Sequence, residues 1–475
     1  MMLTKSSIRE SAGFGEGPLS FRLLWGLFFI ELAVVFLYAL NNGPDRDEIE
    51  YLRAAWKILC GQRIYIDFFE HHHPLFCFLL VPLLSFFKAN VMVMLAGRAS
   101  IFLILLIMII LVYKTAKNLF GKESALISLI LLLMTEIFIF PAVQVRADVP
   151  QALFELLSLF LLFSYFENKS LSQLVLSSIF LAVSFLFLQT AVFFIFAVGL
   201  LLVIGIYFRE IKPQEVILYF SVLAVVLTPF YFYLVLNGLW HKYLIYNWTL
   251  NTNIFKFSIL SDPVPLYLYR STLKGNPLLW AFWVFSLFLL DTPAQKRAAI
   301  FSLVQLIILI GLKFYFFQYY LAVMPLIAML AGYAIYRASV LFPSRKMLIV
   351  WFLVILYAVG PMGLYFKIYK SSPMSRALNK MRYVLSVTKP KDFVYDGMMS
   401  CNIFRKDMSF FWFSTYTGRW YYKVLKGHDY NPYALIDKFR PKVIVNDKYL
   451  NIKYPGIARH YRPSGPYPDL LIRTD

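Results

Sequence analysis

Between residues 23 and 366 the sequence returns repeatedly to apolar runs long enough to cross the roughly 30 Å hydrocarbon core of a bilayer. Backbone polar groups in hydrocarbon must be satisfied within each segment, so such a chain folds as a polytopic α-helical membrane protein. Spans are expected at 23–40, 91–113, 124–141, 149–165, 172–187, 190–207, 215–236, 277–290, 299–313, 320–338 and 347–366, eleven in all. Composition agrees: 60% of residues are apolar and 15% charged, against about 45–50% and about 25% in soluble domains. The excess of 46 basic over 26 acidic residues, a net +20, sits mostly in gaps between apolar runs and so does not describe a nucleic-acid-binding surface. The run Leu75 to Phe87 is too short for a span, carries Pro82 and follows a charged loop, which reads as interfacial or re-entrant.

Basic residues set the expected orientation, because short loops rich in Lys and Arg stay in the cytoplasm. Alternate loops collect Lys5, Arg9 and Arg22; Lys114, Lys117 and Lys122; Lys169; Arg209 and Lys212; Lys296 and Arg297; and Arg337, Arg345 and Lys346. The opposite short loops carry only Arg146 and Lys313. The expected organisation is a cytoplasmic tail 1–22, a membrane domain 23–369 with outer loops 41–74 and 237–276, and an extracytoplasmic segment 370–475. The first apolar run is too long for a signal-peptide core and has no small-residue cleavage site, so it is read as an uncleaved span. In the last segment Pro, Asp and Lys return, and the short runs Lys391–Tyr395 and Pro441–Val445 look like strands, so a small C-terminal α/β domain is expected. That segment holds 19 basic and 8 acidic side chains, a balance suited to anionic lipid or phosphorylated glycolipid.

Candidate chemistry gathers at the expected outer face. Asp45-Arg-Asp-Glu-Ile-Glu-Tyr-Leu-Arg53 follows the first span, and a helix from Glu48 would carry Tyr51, Ala54, Ala55, Ile58 and Leu59 as an apolar stripe along the membrane surface, with Asp47 as its N-cap. A second acidic turn, Val145-Arg-Ala-Asp148-Val-Pro150, opens a later span, with Asp148 as cap and Pro150 in the first turn. Span parity puts both turns on one side, where Asp47, Asp148 and Arg146 can share a cavity holding a base and an anion-binding group. Downstream, Asp67-Phe-Phe-Glu-His-His-His-Pro-Leu75 offers three adjacent histidines, of which at most two suit one ion; hydrogen-bonding or phosphate-facing roles for His71, His72 and His73 are favoured. Glu31, Glu136, Glu155 and Arg98 lie within or near apolar runs and are functional candidates by their cost there. Cys60, Cys77 and Cys401 show no C-x-x-C spacing, so free thiols are expected, although Cys60 and Cys401 share a side. Nucleotide-binding, zinc-protease and nucleophile-elbow patterns are absent from the sequence.

Asp47-Glu48, Tyr51, Gly61, Tyr65, Asp67 and Pro74-Leu75 resemble the first outer loop of GT-C glycosyltransferases, in the group of protein O-mannosyltransferases, the lipid A aminoarabinose transferase and rhizobial lipopolysaccharide-core transferases. Arg146-Ala-Asp148 is similar to that group's second acidic position, and Phe314-Tyr-Phe-Phe-Gln-Tyr-Tyr-Leu-Ala-Val-Met-Pro325 to its late aromatic segment. The likeness covers most of residues 20 to 365, with His72-His73-Pro74 where relatives often have Lys or His before Pro-Pro, and Gln318 where they commonly have His. The resemblance implies transfer of a sugar from a polyprenyl-phosphate donor to a glycolipid, lipopolysaccharide or protein acceptor on the outer side of the cytoplasmic membrane, with inversion. In that reading Asp47 is the base, and Glu48 and Asp148 are the other catalytic carboxylates. Tyr51, Arg63, Tyr65, His71, His72, His73, Arg146, Gln318, Tyr319 and Tyr320 are then the substrate-binding candidates. No cofactor is signalled, a divalent metal is compatible, and nucleic acid is not a partner. The rival readings are a lipid or solute transporter, which predicts two inverted halves that the sequence does not display, and a non-catalytic membrane scaffold, which leaves the two acidic turns accidental.

Overall fold

The computed structural model of the chain describes residues 18–252, 276–311, 317–341, 372–413, 416–446 and 450–475, with part of 348–371. The tail 1–17, the latter part of the loop 237–276, Lys313, Phe314–Phe316, Arg345, Lys346 and most of the expected span 347–366 lie outside the described residues.

Helices occupy the other ten expected spans. They are α1 (Pro18–Asn41), α4 (Val93–Phe120), the pair α5 (Lys122–Leu133) and α6 (Glu136–Ala142), α7 (Asp148–Asn168), α8 (Leu171–Phe187), α9 (Ala191–Tyr207), α10 (Pro213–Leu236), α11 (Pro277–Ser286), α12 (Pro293–Gly311) and α13 (Met324–Val340). Between α1 and α4 come α2 (Arg46–Leu59) and α3 (Leu75–Phe87). Among the described residues five helices are long and apolar enough to cross a membrane, or six if α5 and α6, bent by 69°, form one span. Large apolar side chains such as Phe29, Ile30, Leu103, Ile110, Val225, Phe232 and Ile307 stand exposed around this bundle. Exposed apolar surface on this scale costs free energy in water and none in lipid.

Helix α5 runs through the middle of the bundle, buried along its whole length from Glu123 to Leu133. Its contact with α13 is backbone-close: a Cβ on Gly332 would lie 2.9 Å from the Ser128 amide nitrogen, so only glycine fits there. Helices α7, α8 and α10 are tied by hydroxyls, with Ser158 Oγ 3.0 Å from Ser177 Oγ and Ser177 Oγ 3.2 Å from the Tyr219 hydroxyl. Such bonds replace the water that hydrocarbon cannot supply.

The C-terminal part carries α14 (Pro373–Val387), β1 (Val394–Tyr395), α15 (Tyr416–Lys426), α16 (Pro432–Phe439), β2 (Val443–Val445), α17 (Pro455–His460), β3 (Tyr461–Pro463) and β4 (Leu470–Arg473). The sheet order is β1-β2-β4-β3, with β1 and β2 parallel (Val394 opposite Val443) and the other pairs antiparallel (Val445 opposite Leu470). Both strand-like runs of the sequence thus meet as neighbours. The part is not insulated from the membrane bundle: Phe404, Phe411, Trp412, Phe413 and Tyr421 belong to the same continuous core as α2 and α4. The surface-lying α2 expected from its stripe is therefore corrected, since Glu48, Glu50, Arg53 and Lys57 on its other faces are buried as well. Cys60, Cys77 and Cys401 are all free thiols.

Candidate active site

Helix α2 begins two residues earlier than the expected start at Glu48. Asp45, not Asp47, is the N-cap: its carboxylate accepts the Asp47 amide at 3.1 Å, while Glu48 Oε2 accepts the Asp45 amide at 2.9 Å. This reciprocal capping box fixes the first turn and leaves the Asp47 carboxylate pointing outward, its side chain 35% exposed. Glu48 is then completely engaged. It receives Arg98 Nε at 2.9 Å, Arg98 Nη2 at 2.5 Å and the Val145 amide at 2.8 Å. Arg98 also donates to the carbonyls of Ala39, Asn42 and Gly43, so one buried ion pair binds the end of α1, the start of α2, α4 and the second acidic turn.

That pair brings the two acidic turns together. Arg146 lies 3.0 Å from Asp45, 2.5 Å from Asp47 and 3.2 Å from Asp148, through Nη1, Nη2 and Nε respectively. Three carboxylates surround one guanidinium. Burial and the Asp47 charge raise the Asp45 pKa, with Arg146 pulling the other way. Burial works against the charged Arg146, yet Asp47, Asp148 and Asp45 together hold it firmly protonated. Asp148 is the first residue of α7 rather than its cap, which is Ala147; helix-start geometry still aims its carboxylate at the cluster.

Beside the cluster Glu50 and Glu70 face each other across His71 and His72. His72 Nδ1 is 2.9 Å from Glu70 Oε1, and His71 Nδ1 is 3.3 Å from Glu50 Oε1. Burial, then the charges of Glu70 and Asp47, push the Glu50 carboxyl well up; burial, then His72, pushes the His71 imidazole well down. His73 turns away, its Nδ1 2.6 Å from the Phe185 carbonyl and its Nε2 2.9 Å from the Tyr243 hydroxyl, and burial lowers its pKa to about 3. It is a neutral structural residue. Tyr65 likewise spends its hydroxyl on the His72 carbonyl at 2.6 Å, and buried Tyr51 packs on His72 and Phe76. Arg63, with a side chain 70% exposed, pairs with Asp67 at the surface and does not join the cluster. The structure thus places Tyr65 and Tyr51 against the histidines and Arg63 at the surface, away from the carboxylate cluster.

A family model described as dolichyl-phosphate-mannose-protein mannosyltransferase matches residues 71–235. The whole chain is similar in structure to ArnT from Cupriavidus metallidurans bound to undecaprenyl phosphate, at 14% identity and a TM-score of 0.65, covering 94% of this chain and 97% of that one. The fold is the GT-C glycosyltransferase fold. Within it the chain is also similar to the oligosaccharyltransferase AglB from Archaeoglobus fulgidus in complex with an inhibitory peptide and a dolichol-phosphate, at 13% identity and a TM-score of 0.54, covering 97% of this chain and 75% of that one. A further structure of the Archaeoglobus fulgidus oligosaccharyltransferase, in complex with Zn and sulfate, matches at 14% identity and a TM-score of 0.53 over 76% of this chain and 55% of that one. No curated protein matches the chain in sequence.

In this GT-C fold the donor atoms of Glu50, Glu70, His71 and His72 lie within 4.8 Å of one another. Glu50 Oε1, Glu70 Oε2 and His71 Nδ1 are buried without a hydrogen-bond partner among the described residues. Mixed carboxylate and imidazole ligands suit a zinc-like divalent cation, so these residues fit one. On the far side of Asp148 a cleft runs into the bundle, lined by Gln318 and Tyr319 at Asp148 and by Gln151, Glu155 and Gln305. Tyr320, the last substrate-contact candidate, is buried behind it.

The sequence reading missed Asp45 as a third carboxylate, although the Asp-x-x-Glu spacing of a capping box carries that signal. It also missed Glu50 and Glu70, and the roof supplied by the C-terminal part. Asp407 pairs with both Arg53 and Lys57 on α2; Trp412 Nε1 donates to the Phe69 carbonyl at 2.7 Å and its ring lies 4.9 Å from the Arg53 guanidinium. The Tyr421 ring packs against His71 in a tilted contact, centroids 5.2 Å apart, and its hydroxyl donates to Asn251 Oδ1 at 2.7 Å. No local pattern announces any of these contacts.

Proposed function

We propose that the protein is an integral-membrane glycosyltransferase that moves a sugar from a polyprenyl-phosphate carrier to a hydroxyl of a glycolipid, lipopolysaccharide or protein on the outer side of the cytoplasmic membrane. Eleven spans, with the N-terminus inside and residues 370–475 outside, complete this reading. The observation that carries it is the meeting of Asp47 and Asp148 on Arg146, two acidic turns about a hundred residues apart in sequence joined in one water-facing cluster. The bound carriers named for the ArnT and AglB structures support a lipid-linked donor, and the mannosyltransferase model supports hexosyl transfer.

Asp47 is the base. The acceptor hydroxyl loses its proton to the Asp47 carboxylate as its oxygen bonds to the anomeric carbon from the face opposite the carrier. The anomeric carbon–oxygen bond to phosphate breaks, its electron pair leaves with the lipid phosphate, and configuration inverts. Asp148 and Asp45 fix Arg146, and Arg146 fixes Asp47. All three guanidinium nitrogens are occupied by carboxylates, so Arg146 is a positioning residue here rather than the phosphate holder that its charge first suggests. Glu48 is a positioning residue too, through Arg98 and Val145. The departing phosphate falls to the histidine side of the site, where His71 and His72 face it; a divalent cation held by Glu50, Glu70, His71 and His72 would supply positive charge there.

The test is Asp47→Asn, purified in nanodiscs and supplied with polyprenyl-phosphate sugars and envelope acceptors. Transfer should fall at least ~100-fold, the scale of general-base loss, with an unchanged unfolding temperature. Retained transfer refutes the assignment. Mass spectrometry of envelope glycolipids and glycoproteins with and without the gene identifies the acceptor.

A further inference from the structure

The C-terminal sheet has two unlike faces. Along β2, Val443 and Val445 join the core that is continuous with the membrane bundle, while Ile444 turns to the opposite face; along β4, Leu470 and Leu471 divide in the same way. Helices α16 and α17 cover that opposite face through Ile436 and Ile457. Beside this cover opens a cavity of about 160 Å³, with Ile436 and Tyr461 as its buried floor and Asp437, Arg440, His460 and Arg473 around it. That is room for roughly ten water molecules, or for one small ring with its substituents. The sheet stands between this cavity and the core shared with the bundle, so the cavity is no part of the cluster around Arg146.

The charges around the cavity are unevenly paired. Asp475 engages His460 Nδ1 at 3.1 Å and Arg473 Nε at 3.7 Å, and Arg473 Nη1 donates to the Arg440 carbonyl. Asp437 Oδ2 accepts the Tyr454 hydroxyl at 2.6 Å, while its Oδ1 lies over Gly456, where any Cβ would collide with it. The Arg440 guanidinium has neither an ion pair nor a hydrogen bond among the described residues. Arg440 also ends α16 in the left-handed conformation, at φ +43°, a position that Gly or Asn takes more readily. A free guanidinium fork fits phosphate or carboxylate, a carboxylate oxygen beside it accepts hydroxyls, and an apolar floor suits the face of a ring. We infer that this cavity is a binding site for an anionic sugar unit: Arg440 takes a phosphate or carboxylate substituent, Asp437 Oδ1 accepts a ring hydroxyl, and the ring rests on Ile436 and Tyr461. The inference goes beyond the transfer reading and does not depend on it, since none of these residues belongs to the catalytic cluster.

The experiment titrates the full chain, in phosphatidylcholine nanodiscs, with glucose 6-phosphate, glucuronate, glucose and inorganic phosphate, and reads affinity by calorimetry. Glucose 6-phosphate or glucuronate should bind more tightly than both glucose and inorganic phosphate. Arg440→Gln should lower that affinity at least ~10-fold, the scale of one lost charge-assisted hydrogen bond, and Arg440→Lys should restore part of it. The Arg440 side chain holds no other residue in place, so both variants should unfold at the wild-type temperature. Inorganic phosphate binding as tightly as the charged sugars makes this a bare anion site and overturns the inference. So does an absence of binding, or an affinity that Arg440→Gln leaves unchanged. If phosphatidylglycerol in the nanodisc abolishes charged-sugar binding, the cavity contacts anionic lipid headgroups instead and the inference falls. All of these outcomes are separate from the Asp47→Asn test, whose failure would leave this site standing.

Discussion

Substituting Glu48 by Gln tests whether one buried ion pair assembles the site. The change keeps side-chain volume and removes a single charge. Glu48 accepts four hydrogen bonds, two from Arg98 at 2.9 and 2.5 Å and one each from the Val145 and Asp45 amides at 2.8 and 2.9 Å. A Gln amide offers one acceptor oxygen and turns an NH2 group toward donors, so at least one buried donor loses its partner, at about 1–3 kcal/mol. Arg98, wholly buried, also loses its counter-charge, and breaking a buried pair from one side costs about 3–5 kcal/mol in total. For a chain of this size that lowers the unfolding temperature by about 3–5 °C. Thermal unfolding in nanodiscs measures it directly. The double variant Glu48→Gln/Arg98→Met should cost less than the sum of the singles, because the orphaned charge is gone. An unchanged unfolding temperature in Glu48→Gln, or strict additivity in the double variant, refutes the reasoning.

Asp45→Asn keeps an N-cap and removes one of three crowded charges. The Asp45 pKa is raised in the fold, so its stabilising contribution is full below the ordinary carboxylate range near about 4 and is lost as pH rises through the raised value. Unfolding temperatures between pH 4 and pH 7 should therefore decline less steeply with rising pH in the variant. Asp407→Asn leaves Arg53 and Lys57 buried beside a neutral partner; a loss of about 3–5 kcal/mol should appear as faster proteolytic release of the C-terminal part, and wild-type resistance argues against the clamp. Zinc at a hundredfold excess over its dissociation constant should stabilise wild type by about 2.7 kcal/mol, and Glu70→Gln should abolish that gain; an equal gain in both places the ion elsewhere.

The helices of the bundle were legible because an apolar run in a membrane protein has one stable outcome, and α4, α7 and α10 fall where the hydropathy puts them. The start of α2 was not, because Asp45-Arg-Asp47-Glu48 offers two acids as caps and only the return bond from Glu48 to the Asp45 amide decides between them. The meeting of Asp47 with Asp148 was foreseeable from span parity. That Arg146 sits between them, ion-paired to Asp45 as well, was not, since spacing says which residues share a face and nothing about who pairs with whom. His71, His72 and His73 make the same point: three identical neighbours diverge, and backbone direction alone sends His73 toward Phe185 and Tyr243. Asp407 and Trp412 reach α2 from the other end of the chain, a contact that tertiary folding creates and local sequence does not encode.

That last contact orders events in time. The helix that bears Asp47 emerges early in synthesis, yet its two inward cations, Arg53 and Lys57, find their partner only once Asp407 has been made. A chain stalled before residue 407 carries the Asp47 cluster without the roof that Asp407 and Trp412 supply. The full set of contacts around α2 thus waits on the last part of the chain to be translated.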